Sequence, residues 1–245
     1  MSIPKIIHQT WKTKQIPSVY DLRWIDSWKK YNPDWEYKLW TDEDLRNLVK
    51  DKYSWFLPIY DTYPHNIFRV DAARYFILHH HGGLYVDLDF ECLKSFDPLL
   101  DNNVVFGYRP DNQDVVRYYN IPNALMMSVQ YHPFWEIVFE KMVQSWKNIL
   151  QRRGGVNSIF IRDVHFLTGS CLLYFSVCYD KMSAGKNEGR ASVTIYPYYY
   201  FYPVLYSKYK DRYKQDVIRY LSTDESKQSY AVTYWSYGWD PKYQW

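Results

Sequence analysis

Two aspartates separated by one residue, Asp87 and Asp89, follow directly on the apolar run Leu84-Tyr85-Val86. Carboxylates that close repel each other and lose hydration beside a core, which costs several kcal/mol as an order of magnitude. A divalent cation removes that cost. Mg²⁺ or Mn²⁺ held by one or two carboxylates fills its remaining positions with phosphate oxygens and water. Alone, Asp-x-Asp is a weak sign, because it is most often a solvated turn. Its context here is Arg69-Val70-Asp71-Ala72-Ala73-Arg74-Tyr75, followed by Gly82-Gly83. Asp71 and Arg74 stand one helical turn apart and can pair. In isolation that pair reads as a surface salt bridge of little value. Beside the acidic stretch, it reads as a cluster that holds polar hydroxyls next to a metal-bound phosphate.

The elements that must position these residues follow from periodicity. Ile67 to His81 has helical spacing, with Val70, Ala73 and Ile77 as an apolar stripe, and stops at Gly82-Gly83. Leu84 to Glu91 alternates with period two, which predicts one strand with Leu84, Val86, Leu88 and Phe90 on one face and Tyr85, Asp87, Asp89 and Glu91 on the other. Upstream, Lys5 to Trp11 reads as a buried strand and Val19 to Tyr31 as a helix with Leu22, Ile25 and Trp28 inward, stopped by Asn32-Pro33. Trp35 to Trp40 reads as a strand. Thr41 caps a short helix to about Val49, with Asp44 completing the cap. Strand, helix, strand, helix in that order predicts an α/β fold with a largely parallel sheet. Downstream, Asn103 to Tyr108 and the Tyr-dense Val193 to Pro203 read as strands, and His132 to Gln151 and Thr168 to Met182 as helices. No linker or internal repeat divides the chain, so residues 1–245 read as one domain, with about 190–245 as an acceptor-side and C-terminal lid segment.

Composition narrows the function classes. The 27 Tyr and 11 Trp suit stacking on bases and sugars, and equally suit half-buried strands. A net charge of +3, with Lys and Arg interleaved among acids, argues against a nucleic-acid partner. Three cysteines, Cys92, Cys171 and Cys178, lack metal-site spacing and point to a reducing, cytoplasmic setting without a disulfide framework. There is no signal-peptide pattern and no run long enough to span a bilayer, so the expectation is a soluble protein or one in peripheral contact with a membrane. His79-His80-His81 would point in different directions around a helix end. They read as cations favoured by the last turn rather than as metal ligands. His8 either touches a ligand or satisfies a buried hydrogen bond.

Ile3 to Trp11, Asn32-Pro33-Asp34 with Leu39-Trp40-Thr41-Asp42, and Arg69 to Asp89 together resemble glycosyltransferase family 32. Within it the similarity is strongest to the mannosyl-inositol-phosphoceramide synthases and fungal α-mannosyltransferases, and continues weakly through Asn123, His132-Pro133-Phe134 and Thr168-Gly169. The resemblance implies a GT-A type nucleotide-sugar-binding sandwich and a retaining, Mn²⁺- or Mg²⁺-dependent hexosyltransferase. The implied donor is GDP-mannose or else a UDP-hexose, and the acceptor a glycan or inositol-phosphate lipid. It also implies roles: Trp11 beneath the base with His8 nearby, Asp71 and Arg74 on the sugar hydroxyls, Asp87 on the ribose or metal, Asp89 on the metal, and Asn123 on the donor sugar. Two departures stand out. The family's C-terminal His is absent, leaving Ser236 and Asp240 as substitute metal ligands, and its Thr-Gly-Pro is Thr168-Gly169-Ser170 here. A sugar-nucleotide-binding pseudoenzyme and an aromatic-rich single-stranded nucleic-acid module are the alternatives. The latter leaves Asp87 and Asp89 unexplained.

Overall fold

The structure is a computed structural model, and it describes residues 2–16, 18, 20–109, 120–184, 193–205 and 210–235. Six strands form a mixed, mostly parallel sheet in the order β2-β1-β3-β6-β5-β7. β1 (Ile6–Thr10) runs parallel to both β2 (Glu36–Trp40) and β3 (Gly83–Val86). β6 (Leu125–Ser128) is antiparallel to β3 and to β5 (Val104–Gly107), and β7 (Val193–Tyr196) returns parallel to β5. Period-two alternation sorts the side chains: Tyr85, Phe106 and Met126 enter one core, and Leu84, Val86, Val105 and Leu125 the other. The expected α/β class therefore holds. No helix among the described residues is long and apolar enough to cross a membrane.

The first core is roofed by α2 (Asp42–Lys52), α3 (Leu57–Thr62), α4 (Asn66–His81), α5 (Phe134–Arg153), α6 (Val164–Leu167) and α7 (Ser170–Ala184). α2 starts as expected: Thr41 Oγ1 accepts from Asp44 N while Asp44 accepts from Thr41 N. It runs one turn beyond Val49. α4 lies between the sheet and other helices, so it is buried almost all round from Phe68 to Leu78, where the sequence suggested a single stripe. α1 (Leu22–Tyr31) also turns differently from expectation. Leu22 is exposed, because Trp28 fixes the helix phase by donating its Nε1–H to Phe90 O at 3.0 Å. Of the expected start of this helix, Val19 lies outside the described residues.

Three further expectations are corrected. Leu84 to Glu91 is not one strand: β3 stops at Val86, residues 88–89 turn, and β4 (Phe90–Cys92) joins β8 (Ala231–Thr233) in a separate two-stranded sheet. The alternation persisted across the break because both pieces bury Val86 and Phe90 in one cluster. The Tyr-rich segment is strand only to Tyr196, then a 3-10 turn at Tyr198–Tyr200. The three histidines do end α4, but they are not cations at neutral pH. Burial lowers His79 and His81 to about 4 and lowers His80 as well.

Gly82 and Gly83 take positive φ of 64° and 88° and pass the chain from α4 into β3 against β1. A Cβ on Gly83 would lie 2.5 Å from the Ile6 carbonyl oxygen, so no side chain fits there.

Candidate active site: an acid–arginine network in a cleft

β3 and α4 bring the residues singled out above to one floor. Arg74, one turn after Asp71 on α4, reaches Asp71 Oδ1 at 2.8 Å and lies 3.5 Å from Asp87 Oδ1. Its Nη1–H donates to Asn123 O at 2.8 Å, and its guanidinium covers the Tyr85 ring at 4.7 Å. Tyr85 O–H donates to Asp87 Oδ1 at 2.8 Å, and Thr10 Oγ1 lies 3.1 Å from the Tyr85 hydroxyl. The Asp71–Arg74 pair is not the surface bridge that isolated spacing suggests, since only 8% and 5% of the two side chains are exposed. Burial lifts the Asp71 carboxyl to about 6, with Arg74 offsetting part of that rise. Burial raises Asp87 too, against Arg74 and Tyr85. One cation shared by the buried Asp71 and the one-third-exposed Asp87 leaves this network a net negative charge facing the cleft.

That cleft has a volume of about 490 Å³ and is bounded by Trp11, Asp71, Arg74, Asp87, Asp89 and Asn123 among others. Trp11 is half-buried at its rim and packs edge-on against Tyr20 at 5.2 Å. Asn123 is buried and donates its Nδ2–H to Tyr75 O–H at 3.3 Å. Asp89 is held in its turn by its own carbonyl, which accepts from Tyr234 N at 2.8 Å.

His8 is placed elsewhere. It is buried, Trp40 Nε1–H donates to its Nδ1 at 3.1 Å, and the remaining Nε2–H therefore donates to Gly82 O at 3.0 Å. Both nitrogens are used by the protein, and burial drops the imidazole to about 3. His8 is the buried hydrogen-bonding residue of its two readings. Ser236 and Asp240, the substitute metal ligands, lie outside the described residues, as does Trp239 of the expected lid. Trp235 is described: it lines the cleft and stacks on Tyr202 at 6.0 Å.

The donor chemistry fits a hard divalent ion. Asp87 and Asp89 offer carboxylate oxygens to the same cleft, and the described residues hold no group of three or more potential ligands. Two carboxylates with the rest of the shell from diphosphate and water is the usual arrangement for Mg²⁺-like ions. Sequence reasoning missed Tyr20, Arg109 and His165, which also line the cleft, beside the Gly169 of the Thr168-Gly169-Ser170 motif. Gly169 is the informative one, because a Cβ there would approach Asp71 Oδ2 to 3.2 Å and the Val164 carbonyl to 3.1 Å.

A buried acid–arginine pair thus stands beside an Asp-x-Asp turn on a mixed α/β sheet. Residues 18–106 match the family described as glycosyltransferase sugar-binding region containing DXD motif, and the resemblance to that family is thereby shown. Inositol phosphoceramide mannosyltransferase 2 of Schizosaccharomyces pombe is 40% identical over 153 residues, covering 60% of this chain and 40% of that protein. A mannosyl phosphorylinositol ceramide synthase of Saccharomyces cerevisiae is 42% identical over 149 residues, covering 60% and 36%. The chain thus spans two-fifths or less of these relatives' own length. Among solved structures, the PaToxG glycosyltransferase is similar with a TM-score of 0.49 and 16% identity, over 74% of this chain and 70% of that one.

Proposed function

We propose that the cleft binds a nucleotide-sugar and passes its hexose to a second molecule, with GDP-mannose as donor and an inositol-phosphate lipid or glycan as acceptor. The observation that carries this reading is the Asp71–Arg74–Asp87 network, buried at the floor of the cleft next to Asp89. The choice of mannose and of a phosphoinositol lipid is supported by the names of the relatives, two of which join those chemistries.

In this reading Trp11 lies beneath the base, whose face is matched by an indole. Asp71 and Asn123 accept and donate to the sugar hydroxyls, and Arg74 keeps Asp71 ionised and aimed. Asp87 and Asp89 hold Mn²⁺ or Mg²⁺, which when bound supplies positive charge at the diphosphate. Arg109, on the same cleft, adds a fixed cation toward the leaving group. The bond from C1 of the sugar to the phosphate oxygen breaks and one from C1 to the acceptor oxygen forms. The acceptor's proton passes to the departing phosphate. Asp71 is already tied to Arg74 and to the Asn123 side chain, which makes it a stabiliser of the oxocarbenium-like state rather than a nucleophile. Attack on the face the phosphate leaves retains the anomeric configuration.

Calorimetry with GDP, UDP and GDP-mannose, with Mn²⁺ and with EDTA, tests the reading, followed by an assay of sugar release and transfer. Metal-dependent binding with a preference for GDP, together with turnover, is expected. Equal affinity in EDTA removes the metal assignment, and binding without release or transfer of any sugar makes the chain a pseudoenzyme.

A further inference from the structure

A second groove, of about 600 Å³, lies on the other side of α6 from the cleft. Along this segment the side chains divide between the two hollows. Ile161, Val164 and His165 line the cleft, whereas Asp163, Phe166 and Leu167 line the groove. Lys141 and Arg152 of α5 form the opposite wall. The groove's one acid, Asp163, is bound by Arg153 through contacts of 2.5 and 2.9 Å and is buried, so Lys141 and Arg152 carry its uncompensated charge.

The surface around this groove is unusually apolar. α7 is hydrophobic on its inner side, and Phe175, Tyr179 and Met182, spaced as one helical stripe, are exposed on its outer side. Phe160 and Phe166 are exposed beside them, and Met182 is 80% exposed. Exposed Arg162 and Lys181 interrupt the patch, Lys141 covers the Tyr179 ring at 4.7 Å, and Arg162 covers Phe160 at 5.2 Å. Large apolar side chains exposed together mark an interaction surface. Aromatic bodies interleaved with basic tips match a bilayer interface in particular, where rings enter the headgroup level and cations meet anionic lipid.

We propose that this face, formed by α6, α7 and the facing side of α5, docks onto an anionic lipid bilayer with a lipid phosphate in the Lys141–Arg152 groove. The charge complementarity selects lipid over a second copy of this chain, whose same face would bring the same cations together. Because α6 is shared, a docked bilayer lies against the rim of the cleft. That it thereby presents a lipid acceptor to the sugar rests on the transferase reading; the docking itself does not.

The experiment is co-sedimentation of the chain with vesicles of phosphatidylcholine alone and of phosphatidylcholine mixed with phosphatidylserine. Binding to the mixed vesicles that weakens with salt is expected, and the charge reversals Lys141→Glu and Arg152→Glu should each lower partitioning by about fivefold or more. Phe166→Ser with Phe175→Ser should abolish it in a chain whose thermal unfolding stays cooperative, since Phe166 is 50% and Phe175 41% exposed. Equal binding by wild type and variants overturns the proposal. So does a wild-type dimer in sedimentation velocity that the Phe variants dissociate. GDP binding measured without vesicles keeps the two readings apart: its loss would sink the transferase, and vesicle binding would be unaffected.

Discussion

Arg74 is the residue on which the candidate site depends most. It is almost fully buried, touches two acids, and takes a carbonyl and an aromatic face as its other partners. Breaking a buried pair by removing one partner is costly because the other charge is stranded. Arg74→Met should therefore lower stability by about 3–5 kcal/mol. The double change Arg74→Met with Asp71→Asn should cost less than the sum of the two singles, as read from urea unfolding; strict additivity would mean that the pair is not coupled. Asp89 is expected to behave oppositely. Asp89→Ala should abolish Mn²⁺-dependent GDP binding while the metal-free chain stays folded, because the bond that holds its turn, from Tyr234 N to the Asp89 carbonyl, is made by backbone. A large loss of metal-free stability would make Asp89 structural. These acids were legible in the sequence because charged residues inside apolar runs are rare and need partners. Tyr85 and Asp87 stand on one side of the chain, as period two required, and are hydrogen-bonded. Arg109 and His165 were not legible, since no local pattern marks them and only tertiary folding brings them to the cleft.

At the scale of elements, the Gly82-Gly83 turn and the histidines near it define how α4 meets β1. Gly83→Ala would drive a Cβ into the Ile6 carbonyl at positive φ and should lower stability by several kcal/mol, visible as a large fall in melting temperature. His8, buried under Trp40, makes the same junction acid-sensitive. Its imidazole falls to about 3 in the folded protein, against about 6.5 when the chain is open. Above pH 6.5 it is neutral in both states and adds no pH dependence. Below that, the unfolded chain takes up a proton the folded one does not, so stability falls until pH reaches about 3. At pH 5 the loss from His8 alone is about 2 kcal/mol. Half-exposed His79 and His81 add smaller losses of the same sign. In His8→Gln, the slope of unfolding free energy between pH 6 and 4 should flatten by nearly one proton; an unchanged slope would show that His8 accepts its proton in the folded state. Elements set by one strong local signal, such as the Thr41 cap, were readable in advance. The β3–β4 break was not, because a strand that changes sheets keeps its alternation while its hydrogen-bond partners change.

In the whole molecule, β1 and β8, far apart in sequence, lead to the same cleft. Trp11 follows β1 at one side of the cleft, and Trp235 follows β8 at the other. β8 pairs with β4, the strand that begins directly after Asp89, and Tyr234 continues that pairing by donating its N–H to the Asp89 carbonyl. The Tyr234 ring stacks on Trp24 of α1 at 4.2 Å, and its hydroxyl donates to Glu91 at 2.6 Å. Tyr234 is thus a brace on the turn that follows Asp87, a role that no local sequence pattern marked. Removing the chain from Tyr234 onward deletes the brace and the Trp235 ring at the edge of the second core, but leaves β8 and the buried residues of both large cores in place. The loss should fall on the ordering of the two carboxylates, weakening Mn²⁺-dependent GDP affinity by about tenfold, which is about 1.4 kcal/mol. The melting temperature should fall by only a few degrees, because about 1 kcal/mol corresponds to roughly 2–4 °C in a chain of this size. The single change Tyr234→Ala, which keeps the backbone bond to Asp89 and removes only the ring contacts, should weaken binding less. If the truncated chain binds GDP and Mn²⁺ as tightly as the full one, the bonds around Asp87 suffice to hold the turn: Asp87 N to the Ala124 carbonyl at 2.9 Å, Gln9 Nε2–H to the Asp87 carbonyl at 3.3 Å and Tyr85 O–H to Asp87 Oδ1 at 2.8 Å.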